Sequence, residues 1–181
     1  MNELHTRCLD VFPEWLRKLA ADAGELSALL ASTDVPDSTR RYVAGGLNYL
    51  FKSLDLIPDG IEDLGFLDDA FVLRVAAALA LHEAPASRDE APVLGRLADD
   101  TKIISDLLGK DYARLESYVK TLTRGTARGR TVDEILHDAG VRASFLLEVT
   151  GWAASYQTPS FSRDEKNLVK LQSFLGAKLP A

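Results

Sequence analysis

The sequence predicts an all-α protein, a compact bundle of about six or seven helices organised around a central helical hairpin. Three observations point there. Apolar residues recur three and four apart through most of the chain, the repeat that lines them along one side of a helix. No window sustains the apolar–polar alternation of a half-buried strand. Two stretches, Thr131-Val-Asp-Glu134 and Ser162-Arg-Asp-Glu165, carry the capping-box pattern of a helix start.

The first helix is expected from Pro13, which suits a first turn, to Leu30, with Trp15, Leu16, Leu19, Ala23, Leu26 and Leu29 as its stripe. A turn cluster at Ser32–Ser38 ends it, and Asp34 or Asp37 caps the next helix. That second helix, whose apolar segment runs from Tyr42 to Phe51, carries Gly45-Gly46 in its interior. Each glycine costs a helix about 1 kcal/mol relative to alanine, so a close approach to a neighbour should offset the pair. The alanines Ala76-Ala77-Ala78 across the hairpin are the expected neighbour, with a local kink as the alternative.

Asp55-Leu-Ile-Pro-Asp-Gly-Ile-Glu-Asp-Leu-Gly-Phe-Leu-Asp-Asp69 joins the two apolar arms of the hairpin. Pro58 disfavours helical geometry at Ile57. Gly60 and Gly65 offer positive φ. Asp68 and Asp69 are expected to cap the second arm, Ala70 to Leu81. Capping needs one or two acids, and Asp55, Asp59, Glu62, Asp63, Asp68 and Asp69 make six. Convergent carboxylates repel unless solvent, a basic group, a proton or a cation intervenes. Asp55, Asp59, Asp68 and Asp69 are therefore the candidate ligands for calcium or magnesium, which take oxygen donors. Their spacing is not that of an EF-hand loop.

Asp55-Leu-Ile-Pro-Asp59 followed by Gly65-Phe-Leu-Asp-Asp-Ala70 resembles the signature of the YkvA-like family, D-L-I-P-D then G-x-x-D-D, over roughly residues 42–81. Gly60 and Glu62 depart from the family's usual bulky residue and second proline. The resemblance implies a small helical hairpin domain of unknown function and no particular reaction.

Beyond the hairpin, the stretch from His82 to Pro92 reads as a loop. It is the expected edge between residues 1–84 and a helical extension, 85–181, packed on them as one unit. One helix is expected from Pro92 to Leu108 with Gly109 as its stop, and another from Asp111 to Leu122. The Thr131 box opens a helix reaching Trp152, which Gly140 or Gly151 breaks or kinks. The Ser162 box opens a last helix that Gly176 ends before a frayed tail.

Between these helices lies the one basic stretch, with Arg124, Arg128 and Arg130. These arginines are candidate contacts for a partner or an anion, since guanidinium pairs well with carboxylate and phosphate. A solvated linker and an internal partner for the acidic loop are the alternatives.

The 181 residues carry a net charge of −6, which argues against nucleic acid as a partner. The longest apolar run is too short to span a bilayer. A single cysteine, Cys8, and a start without a signal-peptide core suggest a bacterial cytoplasm. The chain has neither a G-x-S-x-G elbow nor an H-E-x-x-H pair. His5, His82 and His137 are too scattered to suggest a metal site, and His5 with Cys8 is a weak start for zinc. The expected function is thus a non-enzymatic interaction, regulatory or adaptor module acting on another protein without a cofactor. The alternative is a divalent-cation site in the 55–69 loop, extending to metal-assisted hydrolysis.

Overall fold

Asn2, not Pro13, starts the first helix. In the computed structural model, which describes residues 1–52 and 55–181, α1 spans Glu3–Ala28 and the Asn2 side chain accepts from the His5 N–H at 2.7 Å. Pro13 lies inside α1, where its missing N–H costs about 3 kcal/mol. Burial of Cys8, Leu9 and Phe12 ahead of it offsets that cost, since a fully buried large apolar side chain contributes about 1.5–3 kcal/mol.

Helix α2 spans Asp37–Tyr49 and α3 spans Leu67–Glu83. Pro36 stands at the N-cap of α2, so neither Asp34 nor Asp37 caps it. Asp37 is its first residue and pairs with Arg40. All but three of the 17 residues of α3 are buried, as suits a helix that is apolar on nearly every side. Helix α2 packs along one side of α3, and α5, Pro92–Asp99, along another. The expected hairpin is therefore the centre of the protein. A Cβ on Gly46 would lie 3.2 Å from the Ala76 Cβ, so glycine does meet alanine there. Gly45 instead faces α7, where a Cβ would come within 3.1 Å of the Leu122 carbonyl.

The rest of the chain wraps this pair. After the short α4, Ser87–Glu90, the single helix expected from Pro92 to Leu108 divides into α5 and α6, Thr101–Leu108. A tighter turn, Asp100 N–H to the Leu97 carbonyl, separates them. Gly109, at φ +56°, ends α6 as expected, and α7 spans Asp111–Leu122. The basic stretch is not a loose linker. It forms a ribbon of β1, Thr126–Ala127, and β2, Arg130–Thr131, joined by Arg128 and Gly129 at φ +50° and +76°. Two positive-φ residues are what a tight two-residue hairpin needs.

Thr131 and Glu134 form the expected capping box and open α8, Val132–His137. The break to α9, Ala139–Ser155, falls at Asp138 rather than at a glycine. The Asp138 carboxylate accepts from the N–H groups of Gly140 and Val141 and so starts the new helix. The last helix, α10, spans Glu165–Lys178 and is capped by Asp164, not Ser162. Gly176 does not stop it. Nor is the tail frayed: Leu179 is buried, and Arg114 donates to the carbonyls of Gly176, Leu179 and Pro180. One core cluster runs from Cys8 to Leu179. No helix of the described residues is long and apolar enough to cross a membrane.

Candidate cation site

The α2–α3 connection is pinned before it can be a site. Leu56, Ile57 and Leu64 bury into the core and fix the path of the loop. Within it, Ile61 N–H bonds the Pro58 carbonyl at 3.1 Å, and Gly65 N–H bonds the Ile61 carbonyl at 3.0 Å. The glycines do not supply the left-handed residues. Asp63 and Phe66 do, at φ +65° and +67°. Gly65 serves close approach instead: a Cβ there would lie 2.3 Å from the Asp59 carbonyl oxygen. Outside, the Asp63 carboxylate accepts from the Ser162 N–H and hydroxyl, both at 2.8 Å, and Phe66 packs on Tyr156 and Trp152.

Asp68 and Asp69 are inside the first turn of α3, not in front of it, because the helix begins at Leu67. The positive end of the helix favours carboxylates in that turn. Both are buried, at 0% and 3% exposure. One Asp68 oxygen accepts from the Tyr49 hydroxyl at 2.5 Å and from the Ile57 N–H at 3.3 Å. Its other oxygen, Oδ1, has no hydrogen-bond partner among the described residues, and neither has Asp69 Oδ2. A buried polar atom left this way costs about 1–3 kcal/mol. Asp59, exposed, completes the cluster: Asp59, Asp68 and Asp69 each present one oxygen, all within 4.8 Å of one another. Half-buried Asp55, whose Oδ1 has no hydrogen-bond partner among the described residues, joins Asp59 in lining a cleft of about 570 Å³. Glu62 is exposed and takes no part in the cluster, and Asp63 is turned to Ser162.

This crowding shows in the proton affinities. Burial, then the charges of Asp68, Asp59 and Asp55, holds the Asp69 carboxyl well above the usual range. Burial also raises Asp68 against the opposing hydrogen bonds from Tyr49 and Ile57. Asp55 is pushed up to about 7 by burial and by Asp68 and Asp59, and burial raises Asp59 too. Burial and the same carboxylates push the Tyr118 hydroxyl to about 12 and raise Tyr49 and Tyr156. The site is thus a set of acids that resist ionisation together, flanked by phenols that stay protonated. The cluster offers carboxylate oxygens, the donor type of a hard cation.

The arginines sort differently. Arg130 is buried, donates to both Glu148 oxygens at 2.8 and 3.0 Å, and sits over the rings of Phe145 and Phe51. It is thereby unavailable to an outside partner. Arg128 touches Glu148 at 3.3 Å, also covers Phe51, and keeps most of its side chain in solvent. Arg124 is exposed. The internal partner of the ribbon is Glu148 of α9, not the acidic loop. His5 pairs with Glu165, while Cys8 is fully buried with its thiol pushed up to about 11, so the two make no zinc site.

Sequence reasoning missed two contributors. Tyr49 reads as one more apolar position of α2, yet its hydroxyl holds Asp68. Arg74 reads as a blemish in an apolar run. It is instead 1% exposed, with Nε donating to Asp100 at 2.9 Å, Asp22 at 3.7 Å and its guanidinium 4.1 Å from the Trp15 ring centre. A charge inside an otherwise apolar helix is the signal that would have found it, because such a group must be paired.

Neither a curated protein nor a solved structure matches this chain. Residues 39–74 are similar to a sequence family described as a protein of unknown function (DUF1232), and that span contains most of α2, the acidic connection and the first half of α3.

Proposed function

We propose that the protein binds a divalent cation through Asp59, Asp68 and Asp69, with Asp55 at the mouth of the site. One observation carries this reading: Asp59, Asp68 and Asp69 bring one oxygen each within 4.8 Å of one another, and the two buried ones each keep an oxygen with no hydrogen-bond partner among the described residues. Calcium holds oxygens at about 2.3–2.6 Å, so its ligands lie at most about 5 Å apart, and the cluster falls inside that span. A cation would supply what the protein does not, a counter-charge for carboxylates that otherwise hold protons. Isothermal titration with calcium, magnesium and manganese tests it, alongside melting temperature. Heat of binding and a raised melting temperature, both abolished in Asp69→Asn, support the site; no heat and no shift with any of the three remove it.

The same proposal treats residues 42–81 as a YkvA-like hairpin, on the order and spacing of D-L-I-P-D and G-x-x-D-D. A second reading, a protein-interaction module of a bacterial cytoplasm, has its own support. Leu147 on α9 is 74% exposed and Val169 on α10 is 55% exposed. Affinity capture with wild type and Leu147→Glu as baits tests it: a partner lost by the variant counts for the interface, and one retained counts against it.

A further inference from the structure

The lining of the cleft beside the carboxylates carries both signs, Asp55 and Asp59 with Lys52 and Arg128, beside Phe51 and Thr126. Neither cationic side chain forms an ion pair with Asp55 or Asp59 among the described residues. Arg128 is held by Glu148 and the Phe51 ring, and Lys52 makes no ion pair among the described residues. The cleft they line together measures about 570 Å³, enough for a small metabolite. Arg128 sits in the tight turn of the ribbon, at positive φ together with Gly129.

A cation on Asp59, Asp68 and Asp69 would keep coordination positions on the cleft side, because divalent ions bound by few carboxylates complete their shell with water or with substrate phosphate. The natural occupant of such a cleft ligates the cation and reaches Lys52 and Arg128. We propose that the cleft is a site for a soluble, phosphate-bearing small molecule that binds together with the cation. This rests on the cation-binding reading. Phosphate suits all of these: it ligates hard cations, accepts paired hydrogen bonds from guanidinium, and attracts an ammonium as a point charge.

The arrangement also couples the two ligands. A cation held by the acids adds positive charge at this end of the cleft, so an anion that reaches Lys52 and Arg128 is bound better with the cation than without it. Cation and phosphate must therefore strengthen each other's binding by equal factors.

Titration of glycerol 3-phosphate into the intact protein, with and without calcium, tests this. Binding is expected to be tighter with calcium present, and calcium should bind more tightly when glycerol 3-phosphate is there. Lys52→Ala and Arg128→Gln should each weaken glycerol 3-phosphate by about tenfold or more, the worth of one charge-assisted hydrogen bond, while calcium alone binds as in wild type. Calcium binding with no heat from glycerol 3-phosphate overturns the proposal and leaves the cation site standing. Equal binding with and without calcium, or wild-type affinity in both variants, also overturns it. Attachment to phosphatidic acid vesicles with none to glycerol 3-phosphate overturns the assignment to a soluble ligand. If calcium, magnesium and manganese all fail to bind, the underlying reading falls first.

Discussion

The Tyr49 hydroxyl donates to Asp68 Oδ2 at 2.5 Å and accepts from the Leu56 N–H at 2.8 Å. One phenol thus ties the end of α2 to the start of the acidic connection and to the first turn of α3. It also fixes which Asp68 oxygen is engaged, Oδ2, and Oδ1 keeps no hydrogen-bond partner among the described residues. Tyr49→Phe keeps the ring and removes the tie. The loss should cost about 1–3 kcal/mol in urea unfolding, because buried partners are left unsatisfied. Calcium affinity should fall about 10–100-fold, the usual effect of losing a group that orients a ligand. Unchanged affinity would mean that Tyr49 serves the fold alone.

Stability should depend on pH in an unusual direction. Burial lifts Asp55 to about 7 and Asp69 well above the usual range, so the fold holds protons that the unfolded chain has already released. A group raised in this way contributes fully below its unfolded value of about 4, and its contribution drains as pH climbs through the folded value. The cation-free protein should therefore melt higher at about pH 6 than at about pH 8. Asp37, Glu148 and Glu165, lowered by Arg40, Arg130 and His5, act in the opposite sense, but only below about pH 4.5, where they take up protons. Asp69→Asn should flatten the slope between about pH 6 and 8, raising the melting temperature at the upper end by about 2–4 °C for each kcal/mol relieved. Saturating calcium should flatten it in wild type. A melting temperature that rises from pH 6 to 8 without cation would contradict the buried-acid picture.

Gly65→Ala tests the loop path. The added methyl would meet the Asp59 carbonyl at 2.3 Å, a contact between backbone and Cβ that no rotamer change relieves. Overpacking of this kind costs about 1–3 kcal/mol or more. Gly60→Ala, with nothing within 4 Å of the new carbon, is the control and should be nearly neutral. Equal melting curves for the two would mean that the chain does not double back at Asp59.

Arg74 anchors the far end of the core. Arg74→Ala strands Asp22, which is 2% exposed, with only the half-exposed Arg96 as partner at 2.8 Å. Breaking a buried pair from one side costs about 3–5 kcal/mol, and urea unfolding should show a loss of that size. A wild-type midpoint would mean that solvent reaches Asp22 more freely than its burial indicates.

Local chemistry was enough to place several features. Helical class followed from apolar spacing, the stop at Gly109 from a residue free to take positive φ, and the start at Thr131 from its capping box. Each of these depends on neighbours within one turn, so the sequence carries it. Pro13 and Gly176 misled for the complementary reason: burial of Leu9 and Phe12 carries α1 through a proline, and α10 runs past a glycine to its buried end at Leu179. The acid-rich elbow was legible as an excess of charge, but not which acids meet. That choice was made by tertiary packing. Ser162, about a hundred residues away, draws Asp63 outward, Tyr49 holds Asp68 inward, and close passage at Gly65 sets Asp59 over them. In the same way Glu148, three turns into α9, claims Arg130. Long-range partners leave no periodic trace in a chain, because their energy comes from groups that meet only after the backbone has folded.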